Sequence, residues 1–122
     1  MEYLFDLKSP QPNRGDGSRF NKQLLEWYAY RLCQNPAIQI QARIVFPYNP
    51  YISQEWWSVN GSKVSPLEEH QDVWIGDEFW GFCSGQSNTW EIILAAFIEL
   101  GEDEQFIKKY RRFFSLNDKA DK

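Results

Sequence analysis

Hydrophobic and polar positions in the first part of the chain predict a strand, a helix and a second strand. Residues 3–8 are mostly aromatic and aliphatic, and Pro10 ends the run, which is typical of a strand. Residues 18–34 carry apolar side chains at helical spacing. Residues 37–46 alternate strictly between apolar and polar side chains, as a strand with one buried face does. This order predicts two parallel strands joined by a right-handed crossover.

The rest of the chain predicts short elements followed by a helical C-terminal region. Residues 65–68 (Ser-Pro-Leu-Glu) have the pattern of a capping box with an early proline, which predicts the start of a helix. Residues 73–75 predict a short strand, and Asp77 begins a helical segment. Two further helices are predicted over residues 88–101 and 104–115. The first of these is apolar on most of its circumference, which predicts that it is buried.

The length of the chain limits the number of domains. The 122 residues are enough for one domain with its own core and too few for two. We therefore predict a single domain over residues 1–122 with an α/β fold, or α+β by some counts. A small mixed sheet holding residues 3–8 and 37–46 is expected to pack against the helix over residues 18–34.

The composition narrows the classes of function. A net charge of −4 and a pI near 5.0 argue against a general polyanion-binding surface, although local basic clusters can still contact nucleic acid. The single histidine, His70, excludes metal sites built from several histidines. Cys33 and Cys83 form no CxxC pair and are expected to be small buried side chains. No apolar run reaches the length of a membrane helix and Met1-Glu2 is no signal peptide, so we predict a cytoplasmic protein.

The candidate chemistry lies at the end of the first predicted strand. Asp6 and Lys8 are two residues apart, so their side chains point to the same side of a strand. A carboxylate beside an ammonium suits a hard metal ion next to a positioned water, and any metal here must be held by oxygen. The alternative is an ion pair on the strand surface, because Asp-x-Lys is a common triplet. A polar stripe is expected beside this face and consists of Gln39, Gln41 and Arg43. It either belongs to the same site or marks a sheet face that is partly exposed to solvent.

Four stretches of the sequence together resemble one enzyme family. They are Phe5-Asp6-Leu7-Lys8 with Pro12-Asn13, Leu24-Leu25-Glu26-Trp27, Phe46-Pro47-Tyr48-Asn49-Pro50-Tyr51, and Gly76-Asp77-Glu78-Phe79-Trp80-Gly81-Phe82 with Thr89-Trp90-Glu91. On these stretches the chain resembles the C-terminal part of a TdeIII-family type II restriction endonuclease, a branch of the PD-(D/E)xK nucleases. The resemblance spans residues 3–114.

The resemblance implies magnesium-dependent cleavage of duplex DNA at a specific site. It implies that Asp6 and the backbone carbonyl of Leu7 are metal ligands. It also implies that Lys8 positions the attacking water, helps to deprotonate it and stabilises charge on the phosphate. Three basic residues follow this strand, where backbone phosphates would approach, so we expect them to bind DNA. They are Arg14, Arg19 and Lys22.

The sequence departs from the family pattern in two ways and leaves three interpretations open. Asp6 stands where the family usually has glutamate, and the first acidic ligand is expected on a preceding strand that this chain lacks. We therefore expect a missing N-terminal half, or a homo-oligomer partner, to complete the site. The interpretations are a restriction endonuclease or its C-terminal portion, a catalytically inactive remnant that binds DNA or dimerises, and an unrelated interaction module with a simple ion pair.

Overall fold

The computed structural model describes residues 1–111, which belong to two compact units. The first unit spans Met1–Ser87. The second spans Asn88–Lys122 and is described as far as residue 111. The prediction that the whole chain is one domain is not tested by this division and stays a prediction.

A three-stranded parallel sheet organises the first unit. Its strands are β1 (Glu2–Leu7), β2 (Ile40–Phe46) and β3 (Val73–Ile75), and β2 lies between the other two. Asp6 is paired in register with Ile44. The predicted α/β class and the parallel pairing of the first two strands are therefore confirmed.

Helix α1 (Asp16–Gln34) connects β1 to β2 and covers one face of the sheet. Its Phe20 and Leu24 side chains are 6% and 3% exposed and pack into the same core as Ile44. The helix begins two residues earlier than predicted, directly after Gly15. Gly15 has a φ of 87°, a left-handed conformation that glycine adopts without steric cost, so it lets the chain turn sharply into the helix.

The segment between β2 and β3 packs on the same face as α1. It contains helix α2 (Trp56–Asn60), which continues into a short 3₁₀ turn (Gly61–Lys63). Trp56 is 2% exposed, and its ring centroid lies 4.3 Å from that of Phe46. An aromatic pair of this kind contributes both buried area and specific packing, so α2 is anchored on the end of β2.

No helix begins at residue 65, so the prediction from the capping pattern is wrong. The chain turns there, and the Leu67 N–H donates to the Val64 carbonyl at 2.9 Å. Val64 and Leu67 are 0% and 4% exposed, and burying both side chains in the core outweighs the local capping signal. Helix α1 also passes close to this turn, because a Cβ at Gly17 would lie 2.1 Å from the Ser65 carbonyl oxygen.

Helix α3 (Asp77–Ser84) covers the other face of the sheet with aromatic side chains. The ring centroids of Phe79 and Phe5 are 5.0 Å apart, and those of Phe82 and Tyr3 are 4.8 Å apart. Both pairs are edge-to-face, which is a favoured aromatic geometry. Aromatic side chains of α3 therefore cover part of the second sheet face, although Tyr3 and Phe82 are still 40% and 47% exposed.

Arg43 lies on this second face, so the expectation that the polar stripe adjoins the Asp6 face is wrong. Arg43 is paired in register with Phe5, whereas Asp6 is paired with Ile44 of the core. Successive side chains of a strand point to opposite faces, which puts the stripe and the Asp6 side chain on opposite sides of the sheet. The Arg43 guanidinium carbon instead lies 4.4 Å from the centroid of the Trp74 ring.

The second unit is helical, as predicted, and consists of α4 (Thr89–Glu102) and α5 (Glu104–Tyr110) as far as it is described. No residue of α4 is buried, so the prediction of a buried helix is wrong. Its Phe97 and Ile98 side chains are 61% and 56% exposed. Among the described residues of this unit, α4 packs on α5, and one short helix cannot cover an apolar circumference. The predicted end of the last helix at residue 115 lies outside the described residues.

The two cysteines are free and exposed, which contradicts the expectation that they are buried. Cys33 lies in the last turn of α1 and Cys83 in the last turn of α3. Each therefore lies near the end of its helix, where its side chain is exposed.

Candidate active site

Asp6 and Lys8 lie at the carboxyl end of β1, and their side chains meet as predicted. The Lys8 Nζ is 2.8 Å from the Asp6 Oδ2. The side chains are 28% exposed for Lys8 and 32% exposed for Asp6, so the pair is half-buried. Partial burial shields the pair from some of the solvent, so its attraction is screened less than that of a fully exposed ion pair.

Gln23 of α1 completes the arrangement around Asp6. Its Nε2 donates to the Asp6 Oδ2 at 2.6 Å, the same oxygen that contacts Lys8. Two donors therefore converge on Oδ2, and the second carboxylate oxygen, Oδ1, accepts from neither of them. The carboxylate is oriented by Gln23 and Lys8 while Oδ1 is left for another ligand.

The ring of Phe20 lies under two positive charges. The Lys8 Nζ is 5.0 Å from the ring centroid, and the Arg19 guanidinium carbon is 5.8 Å from it. The electron-rich face of an aromatic ring attracts a cation within about 6 Å. Both cations therefore lie close to the same buried ring.

The loop between Lys8 and α1 is fixed by side-chain hydrogen bonds at both ends. The Trp56 Nε1 donates to the Pro10 carbonyl at 2.7 Å. The Asn13 N–H donates to the Asp16 Oδ2 at 2.7 Å, and the Asp16 Oδ1 pairs with Arg19. Asp16 is the first residue of α1, and its carboxylate reaches back to the loop.

A cavity of about 340 Å³ opens between this loop and the first turn of α1. It is lined by Lys8, Ser9, Gln11, Pro12, Asn13, Asp16, Arg19 and Phe20. Hydrogen bonds from Trp56 and to Asp16 fix the loop, and Lys8, which lines the cavity, is the residue that pairs with Asp6.

Both carboxylates of this region are held in their charged form. Partial burial disfavours the charge of Asp6, but hydrogen bonds from Gln23 and Lys8 outweigh it and lower its pKa below the ordinary value. The backbone N–H of Asn13 and the side chain of Arg19 lower the pKa of Asp16. At neutral pH the site therefore presents two carboxylates and two cations.

The oxygens present fit part of the ligand set of a hard metal ion. The Lys8 N–H donates to the Val45 carbonyl of β2 at 2.8 Å. In the same peptide unit the carbonyl of Leu7 points the opposite way, toward the edge of β1 that is not paired with β2. Asp6 and the Leu7 carbonyl can thus offer oxygen on adjacent residues, whereas residues 1–111 contain no group of three acidic, histidine or cysteine side chains arranged for a metal.

The three predicted DNA-binding residues occupy different surroundings. Arg19 lines the cavity beside Lys8. The Lys22 Nζ is 3.9 Å from the Glu26 Oε1, and the Lys22 side chain is 79% exposed. Arg14 is exposed in the loop. Only Arg19 of these three shares a cavity with Lys8.

Sequence reasoning missed two residues of this site. Gln23 follows Phe20 by three positions and so lies on the sheet-facing side of α1, a spacing that could have identified it. The role of Asp16 in binding Arg19 was also missed. Its position three residues before Arg19 is the signal that could have revealed the pair.

A second polar cleft, of about 630 Å³, lies near β3 and was not predicted. His70 stands there between two carboxylates: its Nδ1 pairs with Glu78, and its Nε2 is 3.7 Å from the Glu69 Oε1. The hydrogen bond to Glu78 raises the pKa of His70. His70 precedes β3 and Glu78 lies in the first turn of α3, so this pair ties the turn before β3 to that helix.

Comparison with known proteins identifies one family. The family model described as "Type II restriction endonuclease, HinfI" matches residues 1–101. The type II restriction enzyme HgiCII of Herpetosiphon aurantiacus is 32% identical over 106 residues, which cover 82% of this chain and 36% of that enzyme. HgiEI of the same organism is 32% identical over 102 residues, covering 82% and 35%. The type II restriction enzyme MjaII of Methanocaldococcus jannaschii is 28% identical over 99 residues, covering 75% and 27%.

These matches cover most of this chain but only part of each relative. The chain spans about a third of the length of the curated relatives it matches. No solved structure matches the chain. Within the described residues, no helix is both long enough and apolar enough to cross a membrane.

Proposed function

Because the chain belongs to the HinfI family of type II restriction endonucleases, we propose that it carries part of the active site for magnesium-dependent cleavage of duplex DNA at a specific sequence. The observation that supports this most directly is the Asp6 carboxylate oriented by Lys8 and Gln23 at the end of β1. We also propose the narrower assignment to the TdeIII branch and to the PD-(D/E)xK superfamily, on the resemblance of the Asp6-Leu7-Lys8 strand.

Each residue of the strand end has a separate role in this proposal. Asp6, through Oδ1, and the carbonyl of Leu7 would hold magnesium, and a bound magnesium ion would lower the pKa of a water ligand and stabilise charge on the phosphate. Lys8 orients the attacking water and donates to a phosphate oxygen as negative charge accumulates there. Gln23 keeps the Asp6 carboxylate in the orientation that exposes Oδ1.

We propose that a further strand, carrying another acidic ligand, pairs with the open edge of β1. Lys8 and Glu2 donate their N–H groups to β2, so alternation directs the N–H groups of Tyr3, Phe5 and Leu7 to the opposite edge. Among the described residues no strand pairs with that edge. An apolar cavity of about 290 Å³ lies beside it.

The proposed strand has two possible sources. The chain covers only about a third of its relatives' length, so their remaining residues are one source and a second copy of this chain is another. The cavity beside the edge is lined by Leu4, Phe5, Trp27, Tyr30 and Arg31. Apolar residues dominate this lining, which favours aliphatic side chains on the part of the strand that packs against it.

A chimera provides the test of the proposed function. Residues 1–101 of this chain replace the matching segment of the HgiCII enzyme, and cleavage of plasmid DNA is assayed with magnesium, manganese or EDTA. The chimera is expected to cut DNA only with a metal ion. The Asp6→Asn variant should lose metal binding and cleavage together. The Lys8→Ala variant should lose cleavage but still bind the metal. Lys63→Gln, on the 3₁₀ turn, is the matched control that keeps activity.

Two results would overturn the proposal. A folded chimera that binds DNA and metal but never cuts would show that this chain contributes no catalytic half-site. Cleavage that survives both Asp6→Asn and Lys8→Ala would remove these residues from the active site. We expect the isolated chain to be inactive or very slow, and efficient cleavage by it alone would show that no further acidic ligand is required.

A further inference from the structure

We infer that the cavity between the end of β1 and the first turn of α1 is a phosphate subsite, in which Arg19 is the second cation beside Lys8 and Asp16 positions Arg19. This inference rests on the proposed function, since the phosphate is one of a DNA strand. It gives Arg19 a role different from that of a general surface charge.

The first argument is the shared aromatic surface. Lys8 and Arg19 come from different elements, yet both lie within 6 Å of the centroid of Phe20, which is 6% exposed. Both also line the cavity of about 340 Å³. Two cations that approach the same buried ring can act as a pair of donors from which one tetrahedral anion accepts.

The second argument is the difference in solvent exposure between the two side chains of the Asp16–Arg19 ion pair. The Asp16 side chain is 12% exposed, whereas that of Arg19 is 73% exposed. Asp16 is immobilised by the Asn13 N–H and binds Arg19 through its other oxygen. A guanidinium has five N–H donors, so the contact with Asp16 orients Arg19 and leaves donors for a phosphate.

The third argument is the contrast with the neighbouring basic residues. Lys22 interacts with Glu26 on the exposed side of α1, and Arg14 is exposed in the loop. Neither of them lines the cavity. Their charges would attract DNA from a distance, whereas Arg19 would contact one phosphate next to Lys8.

The test follows the Nε–H signals of the arginines by NMR in the full chain, in EDTA, while either inorganic phosphate or an unlabelled 12-base-pair duplex is added. Assignments come from the single variants. Arg19 is expected to shift with both additions, while Arg31, which is paired with Glu2 at 2.5 Å, stays unchanged. Arg19→Gln should weaken duplex affinity about ten-fold, as expected for a lost charge-assisted hydrogen bond, and Arg14→Gln by no more than about two-fold.

The Asp16→Asn variant tests whether Asp16 positions Arg19, because it leaves the charge of Arg19 itself unchanged. The asparagine oxygen can still accept from the Asn13 N–H, but the side chain no longer attracts Arg19. The Arg19 signal should then broaden and the duplex affinity should fall several-fold, although Arg19 itself is unchanged. Arg19→Lys should recover part of the affinity lost in Arg19→Gln.

The outcomes distinguish this inference from the proposed function. The subsite would be overturned if Arg14→Gln and Arg19→Gln lowered the duplex affinity equally. It would also be overturned if the Arg19 signal did not shift in a folded chain, even if the chimera cuts DNA. A response of Arg19 to inorganic phosphate but not to duplex would show that the cavity binds free phosphate and would overturn its assignment to DNA. A response to both in a chimera that never cuts would leave the subsite intact while the proposed function fails.

Discussion

The Gln23 amide donates to the Asp6 carboxylate at 2.6 Å, across 17 residues of sequence, and joins the middle of α1 to the end of β1. Lys8 contacts the same oxygen from the strand itself. The carboxylate is therefore held by one neighbour in sequence and one neighbour in space. This contact makes the orientation of Asp6 depend on the packing of α1.

The first prediction concerns this contact. Gln23→Ala in the chimera should lower the affinity for magnesium or manganese several-fold, because the Asp6 carboxylate can then rotate. Loss of the hydrogen bond should also cost about 1–3 kcal/mol of stability, since the acceptor is charged. Isothermal titration with manganese and urea unfolding measure the two effects, with Gln34→Ala at the exposed end of α1 as the control. Unchanged metal affinity would show that Lys8 alone orients Asp6.

The second prediction concerns the anchor of the loop that follows Lys8. Trp56→Phe removes the indole N–H that donates to Pro10 and leaves that carbonyl without this donor. Because Trp56 is 2% exposed, the loss should be about 1–3 kcal/mol in the free energy of unfolding. Trp57→Phe, on the adjacent and more exposed residue, should cost less. Equal costs in urea unfolding would show that ring volume, and not the Pro10 contact, determines the loss.

The third prediction is a pH dependence at His70. The folded-state pKa of His70 is raised by Glu78, so this pair contributes stability that is fully present below the unfolded pKa of about 6.5 and is lost as the pH rises through the raised value. The His70→Gln variant should therefore lose relatively more stability at pH 5.5 than at pH 8.5. Thermal unfolding at the two pH values measures the difference. A constant difference between the variant and the parent would show that the ion pair does not contribute.

The fourth prediction concerns the open edge of β1. The amides of Tyr3, Phe5 and Leu7 point away from β2, so in the isolated chain they should exchange with solvent faster than those of Leu4 and Asp6. Adding a strand-forming partner, or raising the chain concentration if the partner is a second copy, should slow the exchange. Amide exchange by NMR and sedimentation velocity measure the two effects. A compact monomer at all concentrations, with these amides already protected, would contradict an open edge.

The local pattern of the sequence predicted the three strands, α1 and α3 of the first unit, but not α2. Alternation predicted β2 and helical spacing predicted α1, because each pattern matches the geometry of a single element. The two-residue spacing of Asp6 and Lys8 likewise determined that they share a face. The same local reasoning was wrong at residue 65, where burial of Val64 and Leu67 outweighs a capping signal.

Only the tertiary structure decided which residues complete the candidate site. Gln23 reaches Asp6 because α1 packs across the end of β1, and Trp56 reaches Pro10 across 46 residues. Contacts of this kind depend on how elements are placed in space, and no periodicity in one segment encodes them. The register of β1 with β2 was also beyond the sequence pattern, and it placed Arg43 on the face opposite Asp6. The sequence by itself determined the strand that carries Asp6 and Lys8, whereas packing decided its neighbours.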